Sequence, residues 1–385
     1  MVEVHFRGET FQIERIIAQV KSKKKKSILV FIGGIHGNEP TGVIALKKVF
    51  DDLSSSNLDW QGDVYAFTGN LQALALEKRF IHRDLNRVWT PNEVEKISTQ
   101  VLEKTIAETE EQYALYDLIW PLLEEKAPIY FIDLHTTSAT SAPFITINDI
   151  IANRDYSTKF PLPIIIGIEE YISGPLLSYM NNLDTVSLAF EGGQHQELEA
   201  LENHMSFIHM AMVLTGSIDA NQLPNYSFHR NRLSERAKDA CGIYEIRFKK
   251  HIENNDGFKM IEGFNNFDLI EKEELIATDQ NGEIKSQENG RIFMPLYQVQ
   301  GNDGFFIIKD VPRWAMIASR FMRKIKLDRL MTIFPGIKRD TDDANTLLVN
   351  TKVAKFFAND IFHLLGYRRK KNIDKTMYFS RREID

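Results

Sequence analysis

SILVFIGGIHGNEPTG, residues 27–42, runs from an apolar stretch through paired glycines to a histidine and a glutamate three residues apart. An apolar run of that length with no polar interruption is the pattern of a strand covered on both faces, as in a parallel sheet. His36 and Glu39 then sit at the mouth of the strand, in a segment too rich in glycine for ordinary helix. Two readings follow: a pair of metal ligands, or the polar residues of a turn that faces water.

Similar runs recur at VYAFTGN (64–70), PIYFIDLH (128–135), FITIN (144–148), LPIIIGI (162–168) and TVSLAFEGG (185–193). Between them lie segments of helical periodicity: 41–55, the charged stretch from Asn92 to Lys126 with a break expected at Pro121, and 196–215, ended by Gly216. The alternation predicts an α/β fold, an open mixed and mostly parallel sheet with helices on both faces. Residues 1–20 read as an edge strand or hairpin, and KSKKKKS (21–27) as a solvated loop.

At 385 residues the chain exceeds the size at which one core usually stops growing. The first unit is expected to span 1–240. After Cys241, turn signals (ENNDG, DQNG, QENG, GNDG) punctuate alternating segments and predict a small β-rich domain over 241–310. Beyond Pro312 the chain turns basic and helical, which predicts a helical C-terminal extension over 311–385.

Hydrophobic residues at 43% and charged residues at 26% are ordinary for a globular protein. A net charge of −6 gives no general attraction to nucleic acid or to an anionic membrane. The basic stretch YRRKKN beside Tyr367 is the one place where nucleic-acid binding could be sought, against the acidic balance of the whole. The lone Cys241 rules out an intramolecular disulfide and fits a reducing compartment. With no leader-like N-terminus and no run of about 18 apolar residues, a cytoplasmic protein is expected.

Ligands of open α/β sheets gather where the carboxyl ends of strands converge. Four polar clusters fall near such ends: His36 with Glu39, Asp133 with His135, Glu191 before two glycines, and RFIHRDLNR from Arg79 to Arg87. Two imidazoles and one carboxylate supply three ligands to a zinc ion and leave a fourth position open. Asp133, two residues before His135 on a strand, shares its face and could orient it from behind. The alternatives are a buried polar aspartate and a core histidine. Glu191, after the apolar VSLAF, is the candidate for moving protons, or else a strand-end glutamate in solvent. Arg79, Arg83 and Arg87 recur every four residues beside Asn86, as an anion clamp or as a solvated helix face.

GGIHGNEPTG, RFIHRDLNRVW, DLHTT and FEGG, in that order, resemble the succinylglutamate desuccinylase and aspartoacylase family, which belongs to the wider zinc carboxypeptidase-like folds. The resemblance runs from about Ser27 to Phe306. It implies that His36, Glu39 and His135 bind one Zn2+ per chain and that Glu191 activates the metal-bound water. It implies further that Arg79 stabilises the tetrahedral oxyanion and that Asn86 and Arg87 grip a substrate carboxylate. The implied reaction is hydrolysis of a small N-acyl amino acid. Two departures bear on the substrate. Aspartoacylases carry a further arginine before the catalytic glutamate, yet no Arg or Lys occurs from Gly167 to Phe190. The family tyrosine that contacts substrate is replaced near Phe305 or Phe306, with Tyr297 the nearest alternative. N-acetylaspartate is therefore not the expected substrate. The rival readings are a zinc carboxypeptidase for a small or cell-wall peptide and a non-catalytic, metal-containing carboxylate-binding protein. Residues 311–385 are expected to pack on the same chain or on a second copy in a homo-oligomer.

Overall fold

The computed structural model describes residues 1–99, 106–223, 225–253, 255–350, 358–373 and 376–381. A hairpin of β1 (Val2–Phe6) and β2 (Glu9–Ile13) opens the chain. Then come β3 (Ile16–Val20), β4 (Ile28–Gly33), β5 (Asp63–Thr68), β6 (Ile129–Thr137), β7 (Phe144–Ile147), β8 (Ile164–Ile166), β9 (Val186–Gln194) and β10 (Ile243–His251). The next segment supplies β11 (Lys259–Met260), β12 (Leu269–Ile270), β13 (Leu275–Asp279), β14 (Gly282–Lys285), β15 (Gly290–Phe293) and β16 (Asp303–Asp310). Eleven of these strands form one sheet in the order β12-β15-β16-β10-β8-β7-β9-β6-β4-β5-β3.

The continuous apolar character of 28–33 is explained by its two covered faces. Leu29 and Phe31 pack with Val43, Leu46 and Phe207 from the helices Thr41–Ser54 and Leu198–Leu214. Ile28, Val30 and Ile32 point the other way, against Leu115 and Ile119 of Ala107–Leu123 and Leu176 and Met180 of Leu176–Asn181. Strand alternation puts successive side chains on opposite faces, so a strand sandwiched in this way can spare no polar position. Phe31 is fully buried, and its truncation to alanine would cost about 3–5 kcal/mol.

β5-β4-β6-β9 is parallel throughout, but β7 joins β9 antiparallel, and only five of the sheet's ten pairings are parallel. The sheet is therefore evenly mixed rather than mostly parallel, because β3 adds antiparallel at one edge, β7 antiparallel to β9 in the middle, and β16, β15 and β12 antiparallel beyond β10. β10 pairs parallel with β8 and antiparallel with β16, so sheet hydrogen bonds cross the boundary expected near Cys241. Among the described residues of 241–310, β11, β13 and β14 stand apart, as a small sheet of their own.

The stretch expected as helix from Asn92 to Lys126 is two helices, Pro91–Ser98 and Ala107–Leu123, with 100–105 outside the described residues. Thr90 caps the first through Glu93 N, and Pro121 lies inside the second, near its end. The extension after 310 is not simply helical. It combines the helices Arg313–Lys324 and Ala358–Leu364 with an antiparallel sheet in the order β17-β18-β20-β19, made of β17 (Ile337–Arg339), β18 (Thr346–Asn350), β19 (Arg368–Ile373) and β20 (Thr376–Ser380). Leu347, Val349 and Phe379 alternate inward and bury a separate core with Phe362 and Tyr367. Parts of that stretch, 351–357 among them, lie outside the described residues, as do the side chains of 370–373.

Arg323 and Arg368 reach back to Asp149 of the main unit, and Arg368 also meets Glu245. Trp314, Ile317, Phe321 and Ile325 form an exposed apolar stripe on Arg313–Lys324. Among the described residues, no helix is long and apolar enough to cross a membrane.

Candidate metal centre and its pocket

The site lies where β4, β6 and β9 end side by side. Gly33 pairs with Leu134, and His135 with Glu191, in parallel register. After β4 the chain turns through Gly34 at φ +67° and then passes so close to the 73–74 backbone that a Cβ on Gly37 would lie 2.1 Å from the Ala73 carbonyl carbon. Glycine is required there, and the close passage lets Gly37 N donate to Arg79 O at 3.2 Å. The turn thereby presents His36 and Glu39 above the sheet beside the segment that carries the arginines.

Glu39 is the hub. Its Oε1 lies 2.9 Å from His36 Nδ1, and its Oε2 lies 3.1 Å from His135 Nδ1 and accepts from Thr136 N at 3.0 Å. One donor atom from each of His36, Glu39 and His135 falls within 4.8 Å of the others, and all three residues are buried. The remaining ring nitrogens are backed by carboxylates: His36 Nε2 lies 3.1 Å from Asp84 Oδ1 and His135 Nε2 lies 2.8 Å from Asp133 Oδ2. An outward N–H held by a carboxylate fixes the tautomer in which the inward nitrogen offers its lone pair, as metal-binding imidazoles require. Two such nitrogens and one carboxylate suit zinc. The donor chemistry and its spacing thus fit a divalent cation.

Charge in the site is strongly coupled. Burial pushes the Glu39 carboxyl up, but the charge of His36 and hydrogen bonds from both imidazoles hold it well below the usual range. Burial likewise raises Asp84, and His36 and Arg79 overcome it. Burial would lower His135, yet Asp133 and Glu39 hold it well above the ordinary value. Glu191 has no such balance: burial, resisted by His135 and reinforced by Glu39 and Asp133, pushes it up to about 8. Its Oε2 has no hydrogen-bond partner among the described residues. A buried carboxyl poised near neutrality can both take and return a proton.

The arginines do not share a helix face. Their segment is irregular, with a single 3-10 turn over Leu85–Arg87, so each guanidinium goes its own way. Arg79 donates from Nε and Nη2 to Asp84 Oδ2 at 3.3 and 3.1 Å, with Nη1 3.6 Å from Glu39 Oε1. Arg83 turns to Glu93 and Thr109, at 3.2 and 2.8 Å. Arg87 donates to Asn86 O and to Asp303 Oδ2, at 2.9 and 3.1 Å. Asn86 is buried, and its Oδ1 accepts from Leu176 N at 2.9 Å.

His36, Glu39, Arg79, Asn86, Arg87, Asp133, His135 and Glu191 all line one cavity of about 600 Å3. Tyr297 does not belong to it: its hydroxyl donates to Ile261 O at 2.8 Å and accepts from Phe264 N at 3.1 Å, away from the site. Phe306 lines the cavity, whereas Phe305 packs in a different core. Several residues not singled out from sequence also belong here. Asp84 sits inside the RFIHRDLNR motif. His195 follows Glu191 closely, bonds Thr136 Oγ1 at 2.7 Å and lies 3.2 Å from Gln298 Oε1. Asp303, inside a GNDG turn, had no sequence signal beyond its charge.

The family model for the succinylglutamate desuccinylase/aspartoacylase catalytic domain matches residues 25–172. A probable aspartoacylase of Trichodesmium erythraeum is 34% identical over 119 residues, 30% of this chain and 37% of that protein. A succinylglutamate desuccinylase of Photorhabdus laumondii is 30% identical over 76 residues, 20% of this chain and 23% of that protein. The matched part thus spans well under half the length of these relatives. Among solved structures, a succinylglutamate desuccinylase/aspartoacylase from Rhodobacter sphaeroides aligns with TM-score 0.55 at 17% identity, covering 77% of this chain and 88% of the other. A succinylglutamate desuccinylase from Vibrio cholerae gives 0.55 at 15%, covering 76% and 90%. At such identities the structures establish a shared mixed α/β fold.

Proposed function

We propose, from the premise that this chain belongs to the succinylglutamate desuccinylase and aspartoacylase family, as the family model and the sequence relatives indicate, that it hydrolyses the amide bond of a small N-acyl amino acid with a zinc ion held by His36, Glu39 and His135. When bound, that ion supplies a nucleophilic water near neutral pH and a Lewis acid for the acyl oxygen. The chain's own residues do the rest. Asn86 and Arg87 hold the substrate carboxylate and so fix the scissile bond in the cavity. Arg79 donates to the oxygen that becomes anionic as the carbonyl carbon turns tetrahedral. Glu191 takes the proton from the attacking water and delivers it to the departing amine nitrogen as the C–N bond breaks. Asp84 and Asp133 keep the two imidazoles aimed inward.

The observation that carries this reading is the convergence of both Nδ1 atoms on Glu39, with Glu191 one strand away at the same level of the sheet. The deciding experiment is Glu191→Gln: zinc content should stay unchanged while hydrolysis falls by at least about a hundredfold. Unaltered turnover would remove Glu191 from the mechanism.

The segment between β15 and β16 covers the mouth, with Asn38 donating to Gln298 at 2.9 Å and Gln300 to Phe80 O at 3.4 Å. That cover favours a small acyl compound over a peptide, and hence a deacylase over a carboxypeptidase. A pure carboxylate-binding protein would have no use for a buried glutamate such as Glu191. In this reading residues 1–240 carry the chemistry on a zinc carboxypeptidase-like frame, 241–310 complete the pocket, and 311–385 buttress it. The lone, exposed Cys241 accords with a cytoplasmic setting.

A further inference from the structure

The cavity is divided by polarity. On the side of the metal ligands, each arginine is already matched by a carboxylate of the chain: Arg79 by Asp84, Arg83 by Glu93 and Arg87 by Asp303. Lys249 also meets Asp303, at 2.9 Å, so Arg87 and Lys249 share one carboxylate between two cations. Arg87 and Lys249 together thus carry one positive charge more than Asp303 offsets, enough for a single substrate carboxylate. The lining also carries a hydrocarbon patch: Ile168, Ile172 and Phe306 pack in one cluster, and Pro175, Leu177 and Ala189 line the cavity as well. Ala189 is flanked by Thr146 on one side, whose hydroxyl has no partner among the described residues, and by the Asp133 carboxylate on the other.

This wall is fixed from behind. Glu169 accepts from Asp149 N at 2.8 Å, and Glu170 lies 2.8 Å from His363 Nε2 and 3.7 Å from Arg368. The turn that bears Ile168 and Ile172 is thereby held in place, with its acidic residues spent on the far side.

We infer that the substrate carries one carboxylate and an apolar group that lies on this wall, rather than two carboxylates; the inference rests on the deacylase reading of the same pocket. A second carboxylate pressed against these six side chains would lose its water beside the Asp133 carboxylate, and Lys249, the cation opposite Phe306, is already paired with Asp303, whereas a branched or aromatic group would gain from leaving water. The hydrocarbon can belong to the amino acid or to the acyl group, and the two sources are separable by experiment.

The test is calorimetric binding to zinc-loaded Glu191→Gln protein, which reads preference without turnover. The ligands are N-acetyl-leucine, N-acetyl-phenylalanine and N-hexanoylglycine, against N-acetylaspartate and N-succinylglutamate. At least one of the first three should bind about tenfold or more tightly than both dicarboxylates, and wild-type kcat/KM should follow the same order. The contrast between the acetyl compounds and N-hexanoylglycine tells which part of the substrate meets the wall. Ile172→Arg, at a half-buried position, should narrow or reverse the preference. Dicarboxylates that bind as tightly as the apolar compounds would overturn the inference and leave the deacylase reading untouched, and so would a panel in which nothing binds. The expected order of binding without any wild-type turnover would instead sink the deacylase reading and leave the assignment of the wall standing.

Discussion

His135 and Glu191 are Cα partners in the parallel pairing of β6 with β9, so a candidate metal donor and the buried acid stand level in adjacent strands. The level is set by main-chain hydrogen bonds, and a slip of one residue would turn either side chain to the opposite face of the sheet. The chemistry therefore depends on register as much as on residue identity.

The carboxylates behind the imidazoles should matter to the metal without touching it. Asp84→Asn is expected to weaken zinc binding about 10- to 100-fold, read by competition with a chromogenic chelator. Affinity equal to that of the wild type would mean that Asp84 serves only Arg79.

Arg79 is expected to act on the developing oxyanion more than on the bound substrate. Arg79→Met should lower kcat by about 10²–10³ with a much smaller change in KM. A loss confined to KM would recast Arg79 as a binding residue.

The C-terminal sheet is tied to the main unit by buried charge. Arg368 meets Asp149 and Glu245; burial alone would raise the Glu245 carboxyl, but Arg368 and His363 hold it far below the usual range. Arg368→Ala removes a buried cation from both, leaving Asp149 to Arg154 and Arg323 and Glu245 to Arg247 and His363, and should cost about 3 kcal/mol in denaturant unfolding. Lys24→Ala, which removes an exposed partner of the exposed Asp59, should cost far less. Equal effects of the two would contradict the importance given to burial.

Stability should also decline in mild acid, well away from the metal centre. His209 and His229 stack with ring centroids 4.1 Å apart. Burial, then the neighbouring charges of His209 and Arg232, pushes His229 down to about 4, and burial lowers His209 as well. Both imidazoles bind protons less readily folded than unfolded. Their contribution is thus complete above the unfolded value near 6.5 and is lost as pH falls toward 4. His229→Gln should flatten that decline in urea midpoints measured from pH 7 to 4. His204, which burial also pushes down to about 4, would keep part of the slope.

Sequence reading was strongest where both faces of a strand are covered, because such strands admit no polar residue except at their ends. That is why β4, β6 and β9 and the polar residues closing them stood out. It was weakest where structure depends on distant partners. Nothing local in GIYEIRFKKHI tells that β10 will add to β8 rather than found a separate sheet. The five-residue strands β18 and β20 were hidden by basic and helical neighbours, since so short an alternation has little weight. The four-residue recurrence of Arg79, Arg83 and Arg87 suggested a helix that the chain does not form. Asp84, lying among those arginines, resembled a local ion-pair partner, and only the folded chain brings it to His36.

The three candidate metal donors lie within residues 36–135, but the turn carrying Ile168 and Ile172 is braced by His363 and Arg368, nearly two hundred positions further on. A change near residue 365 can therefore reach the proposed selectivity without touching any candidate metal donor.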